Sequence, residues 1–175
     1  MPDGICYSMN AMHTERTPAG EHWEPGVVQG DDVGEIRWLA MPQCHIGIGK
    51  HGEWVYLCHG DPVAVGAASD LTPLFVLLGY TESEFRGMLR TNLVALGFPV
   101  EMTDTFPGEL LILAVLRSGD HVQCGRGLNW LEQGMPLTRE IAIVLGDFIT
   151  FKRGIHRDRH RASRLLQRYG RGLRE

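Results

Sequence analysis

The chain has 175 residues, of which 43% are hydrophobic and 22% charged, and its formal net charge is −4. That length suits one domain with flanking segments, and the apolar content is enough to offset chain entropy, which excludes a wholly disordered chain. The opening MPDGICYSMN has no basic stretch followed by an apolar one, and the longest apolar run, Leu110–Leu116, is far below the ~20 residues of a bilayer span, so a cytoplasmic protein without membrane contact is expected.

Four cysteines, Cys6, Cys44, Cys58 and Cys124, are too sparse for a disulfide scaffold and read as reduced thiols. The small net charge hides an asymmetry. Residues 1–151 carry 8 Lys and Arg against 19 Asp and Glu, or −11, while residues 152–175 carry 9 against 2, or +7. A block of this kind marks a partner-binding tail or a solvated helix.

In chain order, residues 1–34 mix Gly, Pro, Thr, Asp and Glu without an apolar period and read as a flexible N-terminal extension. From Glu35, the runs IRWLA, CHIGIG and EWVYLC are β-branched and aromatic and are separated by Gly-rich turns. They predict a hairpin turning about Lys50-His51-Gly52, with Pro62–Val65 as a further strand. Thr72-Pro73 opens a short helix that Gly79 ends. Thr81 and Glu84 form a capping box, flanked by Tyr80 and Phe85 at hydrophobic-staple positions, and the helix they start continues through Met88, Leu89, Leu93 and Leu96 until Gly97 and Pro99. Leu110–Arg117 and Glu140–Phe151 are continuous apolar runs bounded by turn residues. Both read as central strands, with His121–Cys124 as a hairpin partner of the first. The predicted whole is α+β: an antiparallel sheet of about five strands with helices on one face over residues 35–151, and a C-terminal basic helix or tail over 152–175.

Three segments resemble the PAS sensor domains, together covering roughly Glu53 to Gly154. LLGYTESEFRGM (Leu77–Met88) resembles that family's GY-x-x-x-E segment. LRSGDHV (Leu116–Val122) is similar to its strand turn, and GMPLTREIAIVLGDFITFKRG (Gly134–Gly154) to its last strand and exit. The resemblance implies the order β-β-α-α-β-β-β and a small apolar pocket drawing on Phe75, Leu89, Leu93 and Phe98 from the helices and Leu113, Val115, Trp130 and Val144 from the sheet. The competing reading is that these eight residues simply fill the core, because packed interiors leave few voids. The resemblance brings no cofactor: the Asn-Cys-Arg motif of blue-light members is missing and no His lies within Met88–Phe98 to ligate haem. It implies a sensory or regulatory binding module that binds at most a small ligand and relays a signal through protein–protein contact or dimerisation.

Two further readings come from the residues themselves. Arg153, Arg157, Arg161, Arg164 and Arg168 recur at three- or four-residue steps, so a helix presents an arginine stripe to a protein partner or to nucleic acid phosphates. The acidic body repels a polyanion, which favours protein contact. Cys44-His45 and Cys58-His59 flank the hairpin symmetrically. With His59 or Cys124, Cys44 and Cys58 are candidates for a metal or redox site, although the C-x2-C knuckles of strong zinc motifs are missing. No G-x-S-x-G, H-E-x-x-H or Walker-type motif occurs, and no catalytic set is predicted.

Overall fold

The computed structural model describes residues 27–30, 34–66 and 70–172. Among the described residues all strands precede all helices. Strands β2 (Gly34–Leu39), β3 (Ile46–Ile48), β4 (Trp54–Cys58) and β5 (Asp61–Ala64) form an antiparallel meander, and β1 (Val27–Gly30) pairs along the outer edge of β2. Val27–Gly30 and Gly34 thus belong to the sheet rather than to a flexible extension, while residues 1–26 and 31–33 of that expected extension lie outside the described residues. The β3–β4 hairpin turns where its Gly-rich loop predicts: Gly49 N–H donates to Glu53 O at 2.9 Å and Gly52 N–H to Gly49 O at 3.0 Å. Alternation sorts the side chains. Leu39, Ile46, Ile48, Trp54 and Tyr56 face the helices, while Ile36, Trp38 and Val55 form a smaller cluster on the other face.

A 3-10 helix at Thr72–Gly79 crosses from the sheet to the helices, touching β4 and the later helices α2 and α3. Helix α1 (Glu82–Ala95) begins at the predicted capping box, with Thr81 Oγ1 accepting from Glu84 N–H at 3.2 Å and Glu84 Oε2 accepting from Thr81 N–H at 2.8 Å. A second 3-10 helix spans Val100–Thr105. Four helices follow: α2 (Gly108–Ser118), α3 (His121–Glu132), α4 (Arg139–Thr150) and α5 (His156–Gly172). They touch in a closed ring, α2 on α3 and α4, and α5 on α3 and α4.

The two runs read as central strands are therefore helices α2 and α4, and His121–Cys124 is the first turn of α3. The order β-β-α-α-β-β-β is replaced by a sheet followed by helices, and the three segments that carry the PAS resemblance lie on the 3-10 helix and α1, on the α2–α3 turn, and on α4 with its flanks. The physical reason lies in the ends. Asp120 Oδ1 accepts from Gln123 N–H at 2.8 Å and caps α3, and Thr138 Oγ1 accepts from Ile141 N–H at 3.3 Å and caps α4. Gly119, at φ +75°, closes α2 in the left-handed region that glycine adopts without strain. Within α4, Ile141, Val144, Leu145 and Phe148 are buried at helical spacing, while Ile143 is exposed. Burial on one helical face overrides the β preference of Ile and Val.

Four polar ties pin sheet to helices. Ala40 N–H donates to Asn92 Oδ1 at 2.8 Å, Arg37 Nη1 to Leu96 O at 3.3 Å and Trp54 Nε1 to Thr105 Oγ1 at 2.9 Å, and the Tyr56 hydroxyl donates to Asp70 O. Between the layers runs an aromatic chain, Trp54–Phe106–Phe85–Trp130, with successive ring centroids 5.2, 4.8 and 5.1 Å apart. The indole N–H of Trp130 is satisfied by Tyr80 O at 2.9 Å.

Candidate functional site

The basic C-terminal segment is built into the fold. Asp158, Arg161, Ala162 and Leu165 share one face of α5 and are buried, Ala162 and Leu165 joining the main core. The expectation of a partner-binding tail or solvated helix beyond a core of residues 35–151 is corrected by that packing. Arg161 is turned inward and spends all five of its N–H donors. Its Nε and Nη2 grip Glu132 at 3.1 and 2.7 Å, Nη1 reaches Gly125 O at 3.1 Å and Asp158 Oδ1 at 3.3 Å, and Nη2 also donates to Asn129 Oδ1. A charge can be buried here because every donor finds an acceptor.

The predicted arginine stripe is thereby divided. Arg157, Arg164 and Arg168 remain exposed, whereas Arg153 is half-buried, donating to Arg117 O at 3.2 Å with its guanidinium 5.9 Å from the centre of the Phe151 ring. Between α3 and the start of α5 lies a shallow groove of about 320 Å³, lined among others by His121, Val122, Arg126, Ile155 and Arg157. Val122 and Ile155 are each 49% exposed there. Residues 108–172 carry 11 Arg and Lys against 6 Asp and Glu, while residues 34–107 carry 4 against 8, so the helix ring is the basic end of the molecule.

Arg161 also sets an acid limit. Its hydrogen bonds hold the Glu132 carboxyl below its usual 4.5, against the opposing effect of partial burial and with help from the charges of Arg161, Arg164 and Arg168. A carboxyl lowered in the folded state contributes stability above its unfolded value, and that contribution is lost as pH falls through the lowered one. Thermal unfolding followed downward from neutral pH should show wild type losing stability more steeply than Glu132→Gln once the carboxylate range is entered. Parallel acid limbs would show that Glu132 is not linked to folding.

The eight residues of the expected apolar pocket pack into or against a single core. Leu89 and Trp130 share a cavity of about 30 Å³ with Phe85, Thr103, Phe106 and Met135, room for about one water molecule. Thr103 Oγ1 is buried there without a hydrogen-bond partner among the described residues. Phe75 and Leu113 line an open cleft of about 360 Å³ between the first 3-10 helix and α2, and Phe98 lines a third hollow beside Arg37 and Lys50. Leu93, Val115 and Val144 are buried in the core.

The cysteines part company. Cys124 is fully buried on α3, its Sγ donating to Val115 O at 3.2 Å, and burial pushes its thiol up to about 11. Cys44 is buried just before β3, and burial pushes it up to about 12. Both are poor nucleophiles. Cys58, half-buried at the end of β4, is brought together instead with His59 and Asp70. Asp70 escaped the sequence reading because nothing in the chain announces that it folds beside Cys58. Glu132 and Asn129, 29 and 32 residues from Arg161, escaped for the same reason. Only the Asp158–Arg161 spacing was open to inspection as an i,i+3 pair.

No helix among the described residues is long and apolar enough to cross a membrane. No family model, curated protein or solved structure matches the chain.

Proposed function

We propose that the chain is a regulatory binding module that engages a protein partner through the basic face built by α3 and α5. The observation that carries this reading is the division of labour among the arginines. Arg161 locks α5 onto α3, which holds Arg157, Arg164 and Arg168 outward along α5, Arg157 sharing a groove with the exposed Val122 and Ile155. Apolar anchors rimmed by fixed cations suit an acidic, amphipathic segment: the anchors supply affinity and the cations supply steering and register. Rigidity matters, because an interface already ordered loses less entropy on binding.

A nucleic acid partner is the second reading, favoured by the same three exposed arginines. Fluorescence anisotropy with a labelled amphipathic acidic peptide, a scrambled version, duplex DNA and single-stranded RNA separates the two. The expected result is binding of the amphipathic peptide, weakened at least about tenfold in the Arg157→Ala, Arg164→Ala, Arg168→Ala triple variant and also by Val122→Ser. Binding of DNA or RNA with a steep salt slope, abolished by the triple variant and indifferent to Val122→Ser, replaces the protein reading with the nucleic acid one. Equal behaviour of wild type and both variants towards every probe overturns the interface altogether.

A further inference from the structure

The geometry points to a divalent metal site of the zinc class, formed by Cys58, His59 and Asp70 where the β4–β5 turn meets the start of the first 3-10 helix. One ligand atom of each residue, the Cys58 Sγ, an imidazole nitrogen of His59 and a carboxylate oxygen of Asp70, lies within 4.8 Å of the other two. Ligands around a tetrahedral zinc ion stand roughly 3.5 Å apart, so small side-chain adjustments close the set. Thiolate, imidazole and carboxylate together suit a borderline ion such as Zn2+ rather than Mg2+ or Ca2+, which prefer oxygen alone. Binding displaces the Cys58 thiol proton to solvent. Three protein ligands leave a fourth position, and His59 and Asp70 are exposed, so that position opens to water.

The local backbone supports this arrangement. Cys58 pairs with Asp61, making His59-Gly60 the two-residue loop of a hairpin, and both loop residues have positive φ, +54° and +99°. Such loops favour Asn-Gly, and a histidine in the left-handed region is the more costly choice. Adjacent strand residues point to opposite faces, and the left-handed backbone at His59 breaks that alternation, so that its ring and the Cys58 sulfur converge. Asp70 is held from two sides. Its Oδ1 accepts from Thr72 N–H at 2.9 Å, and its backbone carbonyl accepts from the Tyr56 hydroxyl. Supports of this kind orient first ligands in metal sites. The site is independent of the α3–α5 face and can fail or stand without it.

The test is a Co2+ titration of the full chain, free of any affinity tag and first stripped with chelator. The expected result is one equivalent bound with a thiolate-to-cobalt charge-transfer band, displaced by Zn2+, and retained in Cys6→Ser, Cys44→Ser and Cys124→Ser. Cys58→Ser should lose the band, and Asp70→Asn should weaken binding at least about tenfold. His59→Asn is the decisive variant, because Asn suits the turn and the protein should fold at least as well. It should bind at least about tenfold more weakly, and the same Zn2+ concentration should raise the unfolding midpoint of wild type more than that of His59→Asn. No thiolate band in wild type, a band that survives Cys58→Ser, or equal affinity of wild type and His59→Asn overturns the proposal.

Discussion

Truncating the chain after Gly154 should abolish the cooperative unfolding transition of the helix ring. Helix α5 closes that ring by contacting both α3 and α4, and it contributes the fully buried Ala162 and the nearly buried Leu165 to the main core. Its removal uncovers the inner faces of both neighbours and leaves Glu132 without its guanidinium. Each large apolar side chain returned to water costs about 1.5–3 kcal/mol, and several are returned at once, against a total stability of about 5–15 kcal/mol. Near-ultraviolet circular dichroism and calorimetry of the truncated chain are the checks. A thermal midpoint within about 2 °C of the full chain would mean that α5 is an appendage after all.

The second large effect is expected from Arg161→Ala. Removing one partner of a buried ion pair costs about 3–5 kcal/mol, because the other partner is left buried without compensation. Asp158 is only 3% exposed, so the substitution strands its carboxylate, and it also frees Glu132, Asn129 Oδ1 and Gly125 O. The expected drop in thermal midpoint is roughly 6–20 °C. Arg161→Lys should recover little, since an ammonium cannot grip Glu132 in two places while reaching the other three acceptors. Adding Asp158→Asn to Arg161→Ala should restore part of the loss by removing the stranded charge. Independent, additive effects of the two substitutions would contradict the coupling.

Both outcomes turn on what could be seen along the chain. The β3–β4 hairpin, the Thr72–Gly79 helix and the Thr81–Glu84 capping box were legible because each is a local signal within a few residues. The Leu110–Arg117 run was not, since a short continuous apolar stretch has no period that separates a buried strand from a buried helix. In Glu140–Phe151 the period was present. Ile141, Val144, Leu145 and Phe148 follow helical spacing, and Thr138 stands at the cap, but the Ile and Val content outweighed both. In α5 the inward face holds Asp158 and Arg161 beside Ala162 and Leu165, so half of a buried stripe looks like a solvated one. Its neutralising partner, Glu132, lies on another helix. The Cys58-His59 pair was visible as a candidate, whereas Asp70 joins it only through the fold.

The segregation of strands before helices also shapes how the chain emerges during synthesis. The strands are complete by Ala64, yet the core side chains packed over their inner face, such as Phe106 against Trp54, come later. At ~5–20 residues per second, roughly 40 residues of elongation through Phe106 leave Trp54, Tyr56, Ile46 and Ile48 uncovered for a few seconds. Within that window the nascent sheet is a sticky surface, a natural substrate for chaperones that hold apolar segments. The strand meander adds little delay of its own, because each strand pairs with its sequence neighbour and such local pairing is fast. The wait for the helices therefore governs the exposure, and a pause in translation between Ala64 and Phe106 would lengthen it.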